Sequence, residues 1–410
     1  MAICGLQRAI KEGHAMPGLS KRITHLTGGG DDGWGLFYEA RRRKSAGAPI
    51  LELTIGEHDV RTDPAILDAM HAAAKGGHTG YAAVPGIEPL RRAVAARLSE
   101  SSGVQHEAEN VLVTPGGQAA LFAAHHAACD EGDKALLVDP YYATYPGTIR
   151  GVGARPVPVA ARPEDGFQPR ESDLAVAAVG ASSLLINSPN NPTGAVYTDV
   201  TLEGIARVAE AHDLWVISDE VYDSQVWDGA HRPFASLPGM FARTLTVGSL
   251  SKSHAMTGSR LGWVAGPREA IAHLENLATH TTYGVPGYIQ EAGHFALERG
   301  ATAEAEVAAP FRRRRDMVLA RLEGQQALHA IPPAGAMYVM LDVRATGLSG
   351  QAFGAGLLDE EEVAIMPGES FGQAAAGHIR VALTLPDDLF EEALDRLFAY
   401  AGRQMEKAHA

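Results

Sequence analysis

Apolar and polar positions change rhythm along the chain, and the changes mark its elements. From Asn110 onward, short apolar runs rich in branched residues alternate with stretches of helical period. NVLVT (110–114) reads as a strand, Gly116–Cys129 as a helix and Lys134–Val138 as the next strand. ARPVPV (154–159), SSLLIN (182–187), LWVIS (214–218), RTLTV (243–247) and LGWVAG (261–266) continue the series, with a helix from Thr201 to His212 among them. Short β-rich runs separated by helices predict a mostly parallel sheet covered on both faces.

The flanks read differently. Trp34–Ala46 has a helical pattern, and ILELTI (50–55) reads as a strand that stops at Gly56. Asp63–Lys75 is helical, with Asp63 as N-cap and Pro64 at the first position. A turn-rich stretch containing Tyr81 leads to a helix over Ile87–Ser101. After Pro267 the pattern is mostly helical to about Gly324; strands follow near Tyr338–Val343, Val363–Met366 and His378–Leu383, then a helix over Asp387–Lys407. This tail predicts a smaller α+β domain with which the N-terminal segment packs. The expected division is residues 1–57 as an arm and part of the small domain, 58–290 as a large domain, and 291–410 as the small C-terminal domain.

Bulk composition narrows the function. A chain of 410 residues, 46% hydrophobic and 20% charged, is of ordinary globular type and long enough for two domains. A formal net charge of −14 argues against nucleic-acid binding, which depends on clustered cations. The run Arg312–Arg315 lies in a helical pattern and reads as a solvated or interdomain helix face. Cys4 and Cys129 give neither a disulfide framework nor metal-ligand spacing, which suits a reducing compartment. The N-terminus has no apolar core of signal-peptide length and no later stretch is long enough to span a bilayer, so no membrane partner and a cytoplasmic location are expected. Gly28-Gly29-Gly30-Asp31-Asp32-Gly33 fits G-x-G-x-x-G, but no strand precedes it and two carboxylates stand where a pyrophosphate would approach. The match is accidental.

In an open α/β sheet, ligands bind beyond the carboxyl ends of the strands, so the polar residues there carry the chemistry. After NVLVT come Gly116, Gly117 and Gln118 at a helix start, which is either an anion site or simply a helix beginning. After KALLV comes DPYYATY, where an aromatic either stacks on a flat ring or packs under a loop. SPNNPTG follows SSLLIN, where two prolines and a glycine fix a rigid turn that either aims one amide inward or serves as a turn alone. Asp219, at the mouth of LWVIS, needs a cationic partner, and Tyr222 stands three residues on. After RTLTV comes Lys252, the only lysine between Lys134 and Lys407, among Ser249, Ser251 and Ser253 and ahead of Arg260. It is either a snorkelling side chain at a strand end or an amine nucleophile that captures a carbonyl cofactor.

Taken together, GGQAAL, DPYYATY, SPNNPTG, DEVY and SLSKSHAMTGSRLG resemble the class I/II aminotransferases, aspartate aminotransferase-like enzymes of pyridoxal-phosphate fold type I. IGEHD (55–59) and HIRVALT (378–384) match the same family, in family order from Gly56 to Arg380. The resemblance implies an α/β fold: a large domain with a mostly parallel seven-stranded sheet covered by helices, plus a smaller α+β domain. It implies that Lys252 holds pyridoxal 5'-phosphate as an internal aldimine and then shuttles a proton. Asp219 would pair with the pyridinium nitrogen, Asn191 and Tyr222 would hydrogen-bond the phenolic oxygen, and Tyr142 would stack on the ring. Gly116, Gly117, Gln118, Ser249 and Arg260 would hold the phosphate. Tyr81 would reach the phosphate of a neighbouring subunit, implying a homodimer with shared sites. Arg380 would grip the substrate α-carboxylate, with Gly56 and Asn191 lining the same pocket.

The implied reaction is ping-pong transfer of an amino group from an amino acid to a 2-oxo acid through a pyridoxamine phosphate intermediate. Alternatives are a carbon–sulfur β-lyase or another lyase or synthase on the same fold, since fold alone does not fix the reaction. A ligand-sensing domain of a transcription regulator is a third reading, against which the acidic charge and the short stretch before the first helix argue. One departure stands out: the family's usual G-E-P-D run is Gly56-Glu57-His58-Asp59 here. No arginine stands out for a second substrate carboxylate, which leaves the amino donor open.

Overall fold

A computed structural model describes residues 17–30 and 32–410. Cys4, the N-terminal stretch read for a signal peptide, and Asp31 of the glycine-rich run lie outside the described residues. The rest of that run forms turns, with no strand before it among the described residues.

The N-terminal helix α1 (Gly35–Ser45) leads into β1 (Leu51–Glu52). The series that starts at Asn110 then gives β2 (Val111–Thr114), helix α2 (Gly117–Ala128), β3 (Lys134–Asp139), β4 (Arg155–Ala160), β5 (Ala181–Asn187), β6 (Trp215–Asp219), β7 (Thr244–Ser249) and β8 (Gly262–Ala265). These seven strands form one sheet in the order β2-β8-β7-β6-β5-β3-β4, parallel except for β8. Ala120, Leu121 and Ala124 of α2 pack on Leu185, Ile217, Val247 and Val264, which come from four strands. Small alanines let the helix lie close to the sheet, while the branched residues supply most of the buried area. Leu184, Ile186 and Val216 bury the opposite face with Leu202 and Ile205. With both faces covered, the polar ends of the strands are the free surface on which a site can form.

The C-terminal part contributes the long helix α3 (Gly300–Leu322), β9 (Tyr338–Asp342), β10 (Val363–Ala364), β11 (Met366–Pro367), β12 (His378–Ala382) and helix α4 (Asp387–His409). Strands β11, β12 and β9 form an antiparallel sheet, and β1 pairs in parallel with β10. Its core joins Leu341, Val381, Phe390 and Leu394 to Leu51 and Leu53 from the N-terminal segment. Arg314 and Arg315 of the basic run face inward: Arg314 is 3% exposed and pairs with Asp59 and Asp387, and Arg315 pairs with Asp228. No helix among the described residues is long and apolar enough to cross a membrane.

Two expectations need correction. The strand expected over Ile50–Ile55 forms a ladder only at Leu51–Glu52. Beyond it, the carbonyls that would continue the ladder are given elsewhere: Thr54 to Arg380, Ile55 to the Thr384 hydroxyl at 3.1 Å, and Gly56 to Lys252. Side chains from β12, the residues just after it and the lysine turn take these carbonyls in place of a sheet partner. The strand expected over Val363–Met366 is two short ladders, one on β1 and one on β12, because Ile365 stands between two sheets.

Candidate active site

The carboxyl ends of β2, β3, β5, β6 and β7 meet the C-terminal part at a cavity of about 280 Å³. Register fixes the alignment of the strand ends, since Asn187 pairs with Asp219 and Asp219 with Val247. Gly56, Gly117, Gln118, Tyr142, Asn191, Asp219, Tyr222, Ser249, Lys252, Arg260 and Arg380, taken from seven separate stretches of sequence, all line this one space. Gly116 adjoins it with φ of 83°, and a Cβ there would meet the Arg260 guanidinium at 2.5 Å. Tyr81 does not line it. That side chain is 91% exposed, with its ring edge-on to Tyr283 at 5.1 Å.

Lys252 sits in a four-residue helical turn, Leu250–Ser253, capped by the Ser249 hydroxyl, which accepts the Ser251 N–H at 3.1 Å. Its ammonium donates to the Gly56 carbonyl. Burial holds the amine below its usual pKa, as do the Arg380 and Arg260 charges, against the opposing pull of Tyr338 and Glu57. A desolvated lysine is the form that becomes a nucleophile or base near neutral pH.

Asp219 is buried and has no ion-pair partner among the described residues. The Tyr145 hydroxyl donates to its Oδ2 at 2.6 Å, and the Val221 N–H lies 3.3 Å from Oδ1. Burial still dominates and pushes the carboxyl up to about 6. Asn187 ties the strand end to the asparagine turn, donating to the Asp219 carbonyl at 2.9 Å and accepting the Asn191 N–H at 2.8 Å.

Arg380, on β12, is 1% exposed. Its guanidinium lies between the rings of Tyr338 and Phe371, 4.4 Å from each centroid. Nη1 donates to Asn191 Oδ1 at 2.9 Å and Nη2 to the Thr54 carbonyl, while Nε is buried without a partner. No carboxylate among the described residues pairs with it. The Tyr222 and Tyr338 hydroxyls meet at 3.0 Å beside it.

At the opposite end, the first-turn N–H groups of α2 lack partners within the helix, and Arg260 is exposed with Nη1 donating to the Thr257 carbonyl at 2.9 Å. The Gln118 amide is engaged by Thr144 and Thr148, at 3.0 and 2.7 Å, so its side chain braces the next loop. Sequence reasoning missed Tyr145, Asn187, Ser251, Tyr338 and Trp34 as lining residues. Asn187 ends a strand and Ser251 adjoins Lys252, so both were within reach of the strand-end rule. Tyr338 opens a strand from another sheet, and nothing local marks it.

The family model described as aminotransferase class I and II matches residues 48–397. The arginine–pyruvate transaminase of Pseudomonas aeruginosa is 42% identical over 384 residues, 93% of this chain and 98% of that one. The aspartate/prephenate aminotransferase of Thermus thermophilus is 36% identical, over 89% of this chain and 94% of its own. Among solved structures, aspartate aminotransferase from Thermus thermophilus with maleate superposes with a TM-score of 0.88 at 33% identity, covering 94% of this chain and all of that one. The aromatic aminotransferase from Pyrococcus horikoshii gives 0.83 at 34%, over 89% of this chain. A mostly parallel sheet with a lysine, an unpaired aspartate and an unpaired arginine converging at its carboxyl end agrees with these matches, and the chain belongs to the class I and II aminotransferases, pyridoxal-phosphate-dependent enzymes that move amino groups between amino acids and 2-oxo acids.

Proposed function

We propose that Lys252, Asp219 and Arg380 divide the work of transamination in this chain. The observation that carries the reading is the pair of uncompensated buried charges. Among the described residues, Asp219 is a buried carboxyl with no ion-pair partner and Arg380 a buried guanidinium with none. Each is costly alone and fits one charge of the bound molecules, a pyridinium N–H and a substrate carboxylate. When bound, pyridoxal phosphate supplies an electron sink that makes the Cα–H of an amino acid acidic.

The chain's own groups do the rest. Lys252, its pKa lowered by burial, anchors the cofactor and moves the proton from Cα. Asn191 and Tyr222 hydrogen-bond the phenolic oxygen, and Tyr142 covers the ring. Gly116, Gly117, Gln118, Ser249 and Arg260 hold the phosphate, Gln118 through its backbone N–H. Gly56 leaves space that a side chain would fill, since a Cβ there would collide with the Tyr338 hydroxyl. The working division of the chain is an arm of residues 1–57, a cofactor-binding domain of 58–290 and a smaller domain of 291–410.

The active unit is a homodimer in which Tyr81 of each copy reaches the phosphate end of the other. Supporting this, exposed Tyr81 packs edge-on to exposed Tyr283, and a groove of about 420 Å³ lined by Phe122, Leu277 and Thr281 shares Gln118 and Arg260 with the cavity.

The amino donor is a long side chain with a basic or neutral end, and the acceptor is a small 2-oxo acid such as pyruvate. Both arginines lining the cavity have roles already, and the remaining carboxylate is Glu57, beside Trp34 and Ile55. The similarity to an arginine–pyruvate transaminase points the same way. The test is a single-turnover absorbance titration of cofactor-loaded protein with arginine, lysine, phenylalanine and aspartate, followed by reversal with pyruvate. Faster conversion by aspartate than by arginine sinks the donor assignment. Lys252→Ala should abolish the lysine-linked absorbance and lower turnover by about 10²–10⁴-fold; unchanged absorbance would remove Lys252 from its role.

A further inference from the structure

The residues after Gly56 run alongside the lysine turn and touch it repeatedly. The Gly56 carbonyl accepts the Lys252 ammonium, Glu57 accepts the Thr257 hydroxyl at 3.2 Å, and the Thr62 hydroxyl donates to the Ala255 carbonyl at 2.6 Å. His58 stands among these contacts. Its Nε2 lies 3.0 Å from the Lys252 carbonyl oxygen, and Gln225 Nε2 donates to the same oxygen at 3.1 Å. A carbonyl only accepts, so the His58 proton is on Nε2. Nδ1 is then an acceptor, buried without a partner. Burial first, and the Lys252 charge second, pull His58 down to about 4, so the ring is neutral at neutral pH.

The other side of this run is held by the C-terminal part. The His58 ring packs edge-on to Phe311 at 5.1 Å, and Asp59 accepts two Arg314 N–H groups at 2.9 and 2.7 Å. Phe311 and Arg314 both belong to α3. The Leu250–Ser253 turn is only four residues long. A single helical turn does not stabilise itself, and its final carbonyls have no partner within it. What lies outside the turn therefore sets its orientation, and two donors converge on the carbonyl of the one residue whose side chain matters most.

We propose that His58 is a positioning residue for transamination. Its Nε2–H holds the Lys252 backbone against the turn of residues 56–59 and so fixes where the amine lies when the proton moves. This rests on the reading of Lys252 as the cofactor lysine. A proline at position 58 has no side-chain donor and leaves Gln225 as the sole donor to that carbonyl.

The test compares cofactor-loaded His58→Phe, His58→Pro and His58→Gln with the wild type, all assayed below their melting temperatures. Phe keeps a ring against Phe311 but donates nothing, whereas Gln carries an N–H near the Nε2 position. Phe and Pro should retain the cofactor absorbance but shift the pH midpoint of that band. They should lower kcat on the order of tenfold, as expected for one lost orienting hydrogen bond, with KM changed by less than about threefold. Gln should restore both kcat and midpoint. A wild-type midpoint and kcat in His58→Phe, or a Gln variant as impaired as Phe at equal melting temperature, overturns the proposal. Failure of the underlying lysine reading shows separately, as lysine-linked absorbance that survives Lys252→Ala.

Discussion

The two ends of the cavity solve opposite electrostatic problems. At the phosphate end, the groups are backbone N–H at the start of α2, the Ser249 hydroxyl and an exposed Arg260, all at the edge of one sheet. Water can solvate the helix-start N–H groups and Arg260 when no anion is present, and the buried Ser249 hydroxyl is held by Ser251 and the Leu261 carbonyl, so the empty end costs little. At the carboxylate end, Arg380 is enclosed between two rings, with Nε unpartnered and no counter-charge among the described residues. That end is unfavourable until a carboxylate arrives. The contrast separates a site that waits in solvent from one that stores an unmet interaction, and the stored interaction is the better lever for orienting a substrate.

Replacing Arg380 breaks the comparison most severely. Arg380→Met should lower kcat/KM by about 2–5 kcal/mol, as for the truncation of one partner in a buried charge pair. It should also leave the substrate-free fold as stable as before or more stable by about 1–4 kcal/mol, since a buried unpaired charge is gone. Steady-state kinetics and a thermal melt on one preparation check both. A melting temperature that falls with activity would show that Arg380 is structural. Arg380→Lys should not rescue, because a point charge lacks the fork and the stacking plane.

Asp219 sharpens the comparison from the sheet side. Its folded pKa of about 6 lies above the 3.8 of a free aspartate because burial disfavours the charge. Between those values the folded state holds the proton that the unfolded chain has released, so stability falls as pH rises from about 4 to 6. In cofactor-free protein the loss should be on the order of 3 kcal/mol, and Asp219→Asn should flatten it. Cofactor should reverse the trend by pairing the carboxylate. Melts of free and loaded protein across this range decide the matter, and identical pH slopes in wild type and Asp219→Asn would refute it.

The smallest effect is expected at the phosphate end. Arg260→Ala should weaken cofactor binding by about 1 kcal/mol, in the range of a solvent-accessible ion pair. Excess cofactor should restore turnover. A loss that no cofactor concentration repairs would place Arg260 nearer the chemistry than its exposure suggests.

These ends also differed in how readily they could be read. Asp219 and Ser249 end their strands and Gly117, Asn191 and Lys252 come within four residues after one, so a strand pattern and the rule that ligands sit at strand ends were enough to collect them. Arg380 lies inside β12 and was assigned only through the resemblance. The strand over Ile50–Ile55 is shorter than its alternation predicts for the same reason: the Thr54, Ile55 and Gly56 carbonyls bond to side chains from distant segments, two of them in the site. The Gln118 side chain holds Thr144 and Thr148, a contact between segments that no local pattern marks.

Local sequence by itself determined the main sheet, the turns at its carboxyl edge and the residues that those turns carry, because apolar period and turn chemistry act over a few residues. Only the tertiary structure decided which charges are left unpaired, that Tyr145 is the donor to Asp219, that Tyr338 and Phe371 enclose Arg380, and that His58 reaches the Lys252 carbonyl. Those are matters of burial and of contact between segments up to hundreds of residues apart. Desolvation is a property of everything that surrounds a group, and no local pattern encodes it.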